Sequence, residues 1–171
     1  VHPPVLANAS LQPPYLPVDA PERREKSRDQ LHTLLKVWIP RFQEQGITLS
    51  LESHVTASFF VFSDLPDFRD FVLDLPGLGV LIDVCHNYYD GYDIPELISI
   101  VQSLPVTGLH LSDAIRGQPL SQATHLPIGD GTIDFEPLLD HFAEHKNVYA
   151  ALDTRQHKKG NKNTIEQPRT L

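Results

Sequence analysis

Four residues able to hold a cation stand at the ends of four apolar runs. Glu52 closes the run 47–52, Asp83 interrupts 78–84, His110 lies in 106–111 and Asp153 follows 147–152. In a parallel barrel all strand C-termini open on one face, so such residues converge there. Carboxylates with an imidazole make a mixed oxygen and nitrogen set that suits Mn²⁺, Mg²⁺, Co²⁺ or Zn²⁺. Taken singly, each has a plainer use: Glu52 could cap a loop, Asp83 accept backbone amides, His110 sit hydrogen-bonded in a core, and Asp153 cap the tail. Taken together they point to a metal site, because an acid cluster under a sheet costs several kcal/mol without a cation.

Other residues could complete that site. His86 lies three residues past Asp83, His125 follows a long loop and His2 begins the chain. Each is either a further ligand, a substrate contact or an ordinary surface histidine. Arg116, six residues past His110, could hold a substrate oxygen or phosphate through its fixed fork of donors, or simply face solvent. Glu52 and Asp153 together suit proton transfer beside a polarised carbonyl, one carboxylate taking a proton and the other returning it. That is the chemistry of isomerisation or epimerisation. Tyr88 and Tyr89 with Gly91 read either as a rim loop or as packing residues. The turn Gly129-Asp130-Gly131 lacks the Lys and Ser/Thr of a phosphate-binding loop.

The elements needed to position these residues follow from the hydrophobic pattern. The stretch 1–20 contains Pro3, Pro4, Pro13, Pro14 and Pro17 and reads as loop. From Asp19 and Pro21, apolar residues Leu31, Leu34, Leu35, Trp38 and Phe42 recur at helical spacing up to Gly46, predicting a long helix kinked or split at Pro40. Residues 47–52 alternate as a strand. Phe68, Phe71, Val72 and Leu75 predict a helix ending before Pro76-Gly77, and 78–84 is a nearly continuous apolar strand of the kind buried on both faces. Asp93 to Glu96 resembles a capping box opening a helix with Leu97, Ile98, Val101 and Leu104 inward. Strand 106–111 follows, then a loop over 112–125. Asp134 is expected to cap a short helix with Leu138, Leu139 and Phe142 buried, and 147–152 forms the last strand. Strand, loop and helix thus repeat, the pattern of right-handed β-α-β crossovers and a parallel sheet. The tail after Asp153 is basic, almost without apolar residues apart from Ile165 and Leu171, and buries little. The expected division is therefore a partial barrel domain over 1–153 and a polar tail over 154–171.

Composition narrows the function classes. Hydrophobic residues make up 40% of the 171, charged ones 21% and aromatics 8%, which excludes collagen-like, coiled-coil and wholly disordered chains. The length allows one domain. With 14 Lys and Arg against 22 Asp and Glu, the net charge of -8 offers no broad cationic surface to nucleic acid phosphates. The single Cys85 excludes an internal disulfide and a cysteine-rich zinc module, and fits a reducing compartment, with the cytoplasm as the expected location. No run reaches the roughly 20 apolar residues of a membrane span. The sequence has no Met and starts at Val1, which reads as a fragment.

The segments Ile47-Thr48-Leu49-Ser50-Leu51-Glu52-Ser53-His54, Gly79-Val80-Leu81-Ile82-Asp83-Val84-Cys85-His86, Gly108-Leu109-His110-Leu111-Ser112-Asp113 and His125 through Phe135 together resemble the xylose isomerase-like TIM barrel superfamily, AP endonuclease family 2. That superfamily includes sugar isomerases and epimerases, inosose dehydratases and endonuclease IV. The resemblance implies an α/β fold of the parallel (β/α) TIM-barrel type. It implies an incomplete barrel too, since the family domain of about 250 residues has two strands and a helix before the position of His2. It further implies that Glu52, Asp83 and His110 match three shared metal ligands and that Asp153 stands where the fourth, usually Glu, is expected. In the ketose epimerase branch His86 and Arg116 match positions that hold substrate oxygens. In the endonuclease branch His2, His86 and His125 match additional zinc ligands, and an Asp is expected where this chain has Ala123.

Three readings follow. The first is a metal-dependent isomerase or epimerase of a small polyhydroxylated substrate, with Mn, Mg or Co and proton exchange by Glu52 and Asp153 through an enediolate. The second is a zinc phosphodiesterase like endonuclease IV, opposed by Ala123 and the negative charge. The third is a degenerate barrel used for binding. A homo-oligomer is compatible with all three.

Overall fold

The computed structural model describes residues 21–54 and 61–154, and these form one parallel sheet with helices between its strands. The elements in chain order are α1 (Pro21–Gln43), β1 (Ser50–Glu52), α2 (Leu65–Leu73), β2 (Gly79–Asp83), α3 (Val84–Tyr89), α4 (Ile94–Val101), β3 (Val106–Leu111), α5 (Leu120–Ala123), α6 (Glu136–Phe142) and β4 (Tyr149–Leu152). The strands lie in the order β1-β2-β3-β4, every neighbouring pair parallel. Sequential parallel order with a helical crossover at each step is barrel topology, here four strands of an incomplete barrel.

Local chemistry explains several boundaries. Asp64 caps α2 by accepting from the Asp67 amide at 2.8 Å, and Pro66 occupies the first turn, where its missing donor is harmless. Asp93 caps α4 by accepting from the Glu96 amide at 3.0 Å, as the capping pattern predicts. All five residues of β2 are buried, matching its continuous apolar run. On one side of the sheet Leu51, Val80, Ile82 and Leu109 join Leu31, Leu35 and Ile39 of α1, Phe68, Phe71 and Val72 of α2, and Leu97 and Val101 of α4 in a single core. Burial of each such side chain stabilises the fold by about 1.5 to 3 kcal/mol.

Some expectations need correction. The first helix runs unbroken through Pro40, because that proline falls in the last turn, where only one hydrogen bond is lost. Its buried stripe is Leu31, Leu35 and Ile39, spaced by four, whereas Leu34 and Trp38 are 54% and 42% exposed. The strand expected over 47–52 is only three residues long. Tyr88 and Tyr89, open in the sequence to a rim-loop or a packing role, lie on the short helix α3, and a further short helix, α5, interrupts the loop over 112–125. At α6 Phe135 is the cap residue and Asp134 accepts from the Glu136 amide at 3.2 Å; Leu138 is buried but Leu139 is 51% exposed.

One ion pair ties α1 to α2 and has a pH signature. The Arg28 guanidinium bonds to Asp67 and lies 5.4 Å from the Phe71 ring centroid. Partial burial pushes the Asp67 carboxyl up, but the Arg28 bond and charge, with the amide and hydroxyl of Ser63, outweigh it and hold Asp67 below its ordinary value. A lowered folded pKa stabilises the protein above the unfolded value and is lost as pH falls through the folded one. Asp67→Asn should therefore lower stability at neutral pH and flatten its loss below about pH 4. Denaturant titrations across that range read this directly, and an unchanged acid limb would remove the assignment.

Candidate metal centre

The strand register brings the sequence-predicted residues to one end of the sheet. Asp83 pairs with His110 across β2 and β3, and Glu52 pairs with Leu81, two residues before Asp83 and on the same face of β2. His110 pairs with Ala151, so Asp153 follows on that face of β4, just past the strand. One layer below, Leu81 pairs with Gly108 and Gly108 with Tyr149. A Cβ on Gly108 would come within 2.5 Å of the Tyr149 ring, so glycine here lets that ring cross beneath the site.

Glu52 and Asp83 are 3% and 1% exposed. Ligand atoms of Glu52, Asp83 and His110 all lie within 4.8 Å of one another. His110 Nδ1 donates to Glu52 Oε1 at 2.9 Å. Burial pushes the Asp83 carboxyl up to about 6; the Glu52 charge adds to this, while the His86 amide and the nearby His125 act the other way. Two buried carboxylates side by side with an imidazole are costly alone and favourable around a divalent cation, so the donor set fits Mn²⁺, Mg²⁺, Co²⁺ or Zn²⁺.

Asp153 is placed differently. Its side chain is 47% exposed, with Oδ2 4.0 Å from His110 Nδ1 and 3.2 Å from His125 Nδ1. It adjoins the three-residue group rather than entering it. A second group, Asp83, Cys85, His86 and His125, likewise has ligand atoms within 4.8 Å. His125 Nδ1 donates to the Asp153 carbonyl at 3.0 Å, so in the neutral ring Nε2 accepts, and the His86 Nε2 donates to it at 2.8 Å. Burial and the neighbouring Asp83 charge push the Cys85 thiol up to about 12, which favours its neutral form. Arg116 is exposed at the rim. Its Nε donates to the Tyr88 carbonyl at 2.8 Å and its guanidinium stacks 4.0 Å from the Tyr88 ring centroid. His2 lies outside the described residues.

Residues without a sequence-assigned role also shape the site. Ser53 Oγ accepts from the Asp83 amide at 3.1 Å and from Asn87 Nδ2 at 2.8 Å, and Asn87 Nδ2 also donates to the Asp83 carbonyl at 2.6 Å. Asp83 caps α3 through the His86 amide at 3.1 Å. The His54 ring lies 4.2 Å from that of His86. Position was the available signal, since Ser53 and His54 directly follow Glu52 and Asn87 sits four residues past Asp83.

Fold and site thus define a parallel α/β barrel segment with an acid and histidine cluster at its strand ends. The sequence matches the family described as xylose isomerase-like TIM barrel over residues 5–171, and the chain belongs to that family, AP endonuclease family 2. Solved structures similar to it include a D-tagatose 3-epimerase-like protein, with a TM-score of 0.68, 18% identity and coverage of 90% of this chain and 54% of that one. The apo form of 3-keto-D-glucoside 4-epimerase from E. coli gives 0.63 and 18%, covering 90% and 56%. An AP endonuclease of family 2 from Brucella melitensis gives 0.57 and 13%, covering 77% and 50%. These identities speak to the fold, and the chain spans about half the length of the structures it matches. No helix among the described residues is long and apolar enough to cross a membrane.

Proposed function

We propose that the chain carries the site of a metal-dependent isomerase or epimerase acting on a sugar or polyol-like substrate by proton transfer through an enediolate. The observation that carries this reading is the convergence of Glu52, Asp83 and His110, two of them buried acids, at the strand ends. These three, joined by Asp153, would hold the cation, which when bound polarises a carbonyl and an adjacent hydroxyl and acidifies the carbon between them. Glu52 and Asp153 would exchange the proton at that carbon, one as base and the other as acid. His86 and Arg116 orient substrate oxygens. Arg116 is suited to this because its Nε is fixed on the Tyr88 carbonyl while the ring stacking holds its plane.

The first test is elemental analysis of the purified chain with solvent deuterium incorporation into ketohexoses. About one Mn, Co or Mg per chain with exchange at a carbon next to the carbonyl supports the proposal. A protein that takes up no metal on reconstitution, and stays folded without it, favours a non-catalytic barrel instead. Arg116→Ala should raise KM by on the order of tenfold or more with metal affinity unchanged; loss of metal instead would misplace the residue.

A second reading is favoured by one observation, the adjoining Asp83, Cys85, His86 and His125 group. Two or three zinc ions per chain, with cleavage of abasic DNA, would establish a phosphodiesterase. The net charge of -8 and Ala123 count against it.

A further inference from the structure

Asp113 lies two residues past β3 and belongs to neither ligand group. It is 2% exposed, and its carboxylate accepts three backbone amides: Oδ1 takes Ala114 N at 2.9 Å and Ile133 N at 3.0 Å, and Oδ2 takes Gly129 N at 2.9 Å. Its own backbone pairs both ways with Leu126, at 2.8 and 3.0 Å. One side chain therefore fastens both ends of the loop 114–133, the segment carrying Arg116 and His125. Gly131 packs against the same carboxylate so closely that a Cβ there would collide with Asp113 Oδ1.

The residue before Leu126 shows what this fastening does. His125 has φ +57, the only non-glycine residue with positive φ among those described. Non-glycine residues rarely adopt that conformation, and it persists where the surroundings over-determine it. Here Leu126 is locked to Asp113 on one side, and the His125 ring is held by His86 and Asp153 on the other. The geometry points to Asp113 as a positioning residue: its carboxylate fixes loop 114–133 so that His125 stands against His86 and Asp153 and Arg116 stands on Tyr88 at the rim. The consequence for turnover rests on the epimerase reading; the placement of His125 does not.

Asp113→Asn keeps the shape but turns an NH₂ toward a backbone N–H, leaving a buried donor unmatched. In histidine-selective ¹⁵N spectra of the metal-free protein, the His125 and His86 ring signals should shift while those of His110 stay in place. With Mn²⁺ added, KM for a ketohexose should rise on the order of tenfold at unchanged Mn²⁺ affinity. Gly131→Ala, which presses on the same carboxylate, should give the same pattern. Thr132→Val, which removes the 3.1 Å bonds of the Thr132 hydroxyl to the Ala114 carbonyl and to the Tyr88 hydroxyl, loosens the loop without touching Asp113 and should leave the His125 ring signal unmoved, whatever it does at Arg116. Unchanged His125 and His86 signals in either of the first two variants, or the same shift in the third, would overturn the inference. Failure of both to fold would overturn it too, assigning Asp113 to global folding. A shifted His125 in a protein whose wild type turns over no sugar would overturn the epimerase reading alone.

Discussion

Asp83→Asn should abolish Mn²⁺-dependent stabilisation while leaving the metal-free protein at least as stable as wild type near neutral pH. Burial pushes Asp83 to about 6 against an ordinary value of 3.8, so ionising it costs the folded protein free energy. With a raised folded pKa, the stability this group contributes is complete below 3.8 and is lost as pH rises through about 6. The sign is opposite to that of Asp67. Asn keeps an acceptor for the His86 amide, so the cap on α3 survives and only the charge is lost. Wild type at about a hundredfold excess of metal over Kd should gain roughly 2.7 kcal/mol, or about 5 to 10 °C in melting temperature. The variant should gain nothing, and its metal-free stability should lose the decline between about pH 4 and 6. Melting curves with and without Mn²⁺ across that range test both arms. A variant that still gains several degrees would show that Asp83 is no ligand.

The site and the fold were legible to different depths. Strand ends were readable because an acid or imidazole breaking an apolar run has few uses: Asp83 in a fully buried strand announces a partner, and the register then sets it beside His110. Strand 106–111 was readable to the residue, since β-branched and apolar residues bounded by Pro105 and the polar Ser112 define it. The face of α1 was not. Leu34 and Trp38 satisfy helical spacing as well as Leu35 and Ile39 do, and tertiary packing alone chooses between the two overlapping stripes. The α3 turn was missed because its aromatic residues and neighbouring glycine look like loop, while the signal that starts it, the Asp83 side chain on the His86 amide, lay inside a residue already assigned to metal. The role of Asp113 was invisible in sequence because its amide partners Gly129 and Ile133 are 16 and 20 residues away and contribute backbone atoms only.

Asp153→Ala should slow solvent deuterium incorporation about 10² to 10⁴-fold while weakening Mn²⁺ binding far less than Asp83→Asn does. The geometry separates the two roles. Asp83 is buried within both ligand groups, whereas Asp153 stands outside them, half exposed and held by His125 through its carbonyl and carboxylate. Asp153 Oδ2 lies 4.0 Å from His110 Nδ1, a separation two ligands of one cation can have, yet Asp153 is in neither group gathered around Asp83. One added methylene carries the carboxylate about 1.5 Å further from the backbone, so Asp153→Glu should bind Mn²⁺ more tightly than wild type. It should also keep measurable exchange, whereas Asp153→Ala should not. If Asp153→Ala exchanges deuterium at the wild-type rate, the proton donor and acceptor must be sought elsewhere in the cluster. If it loses metal as completely as the Asp83 variant, Asp153 is a ligand first, and Glu52 alone remains to move the proton.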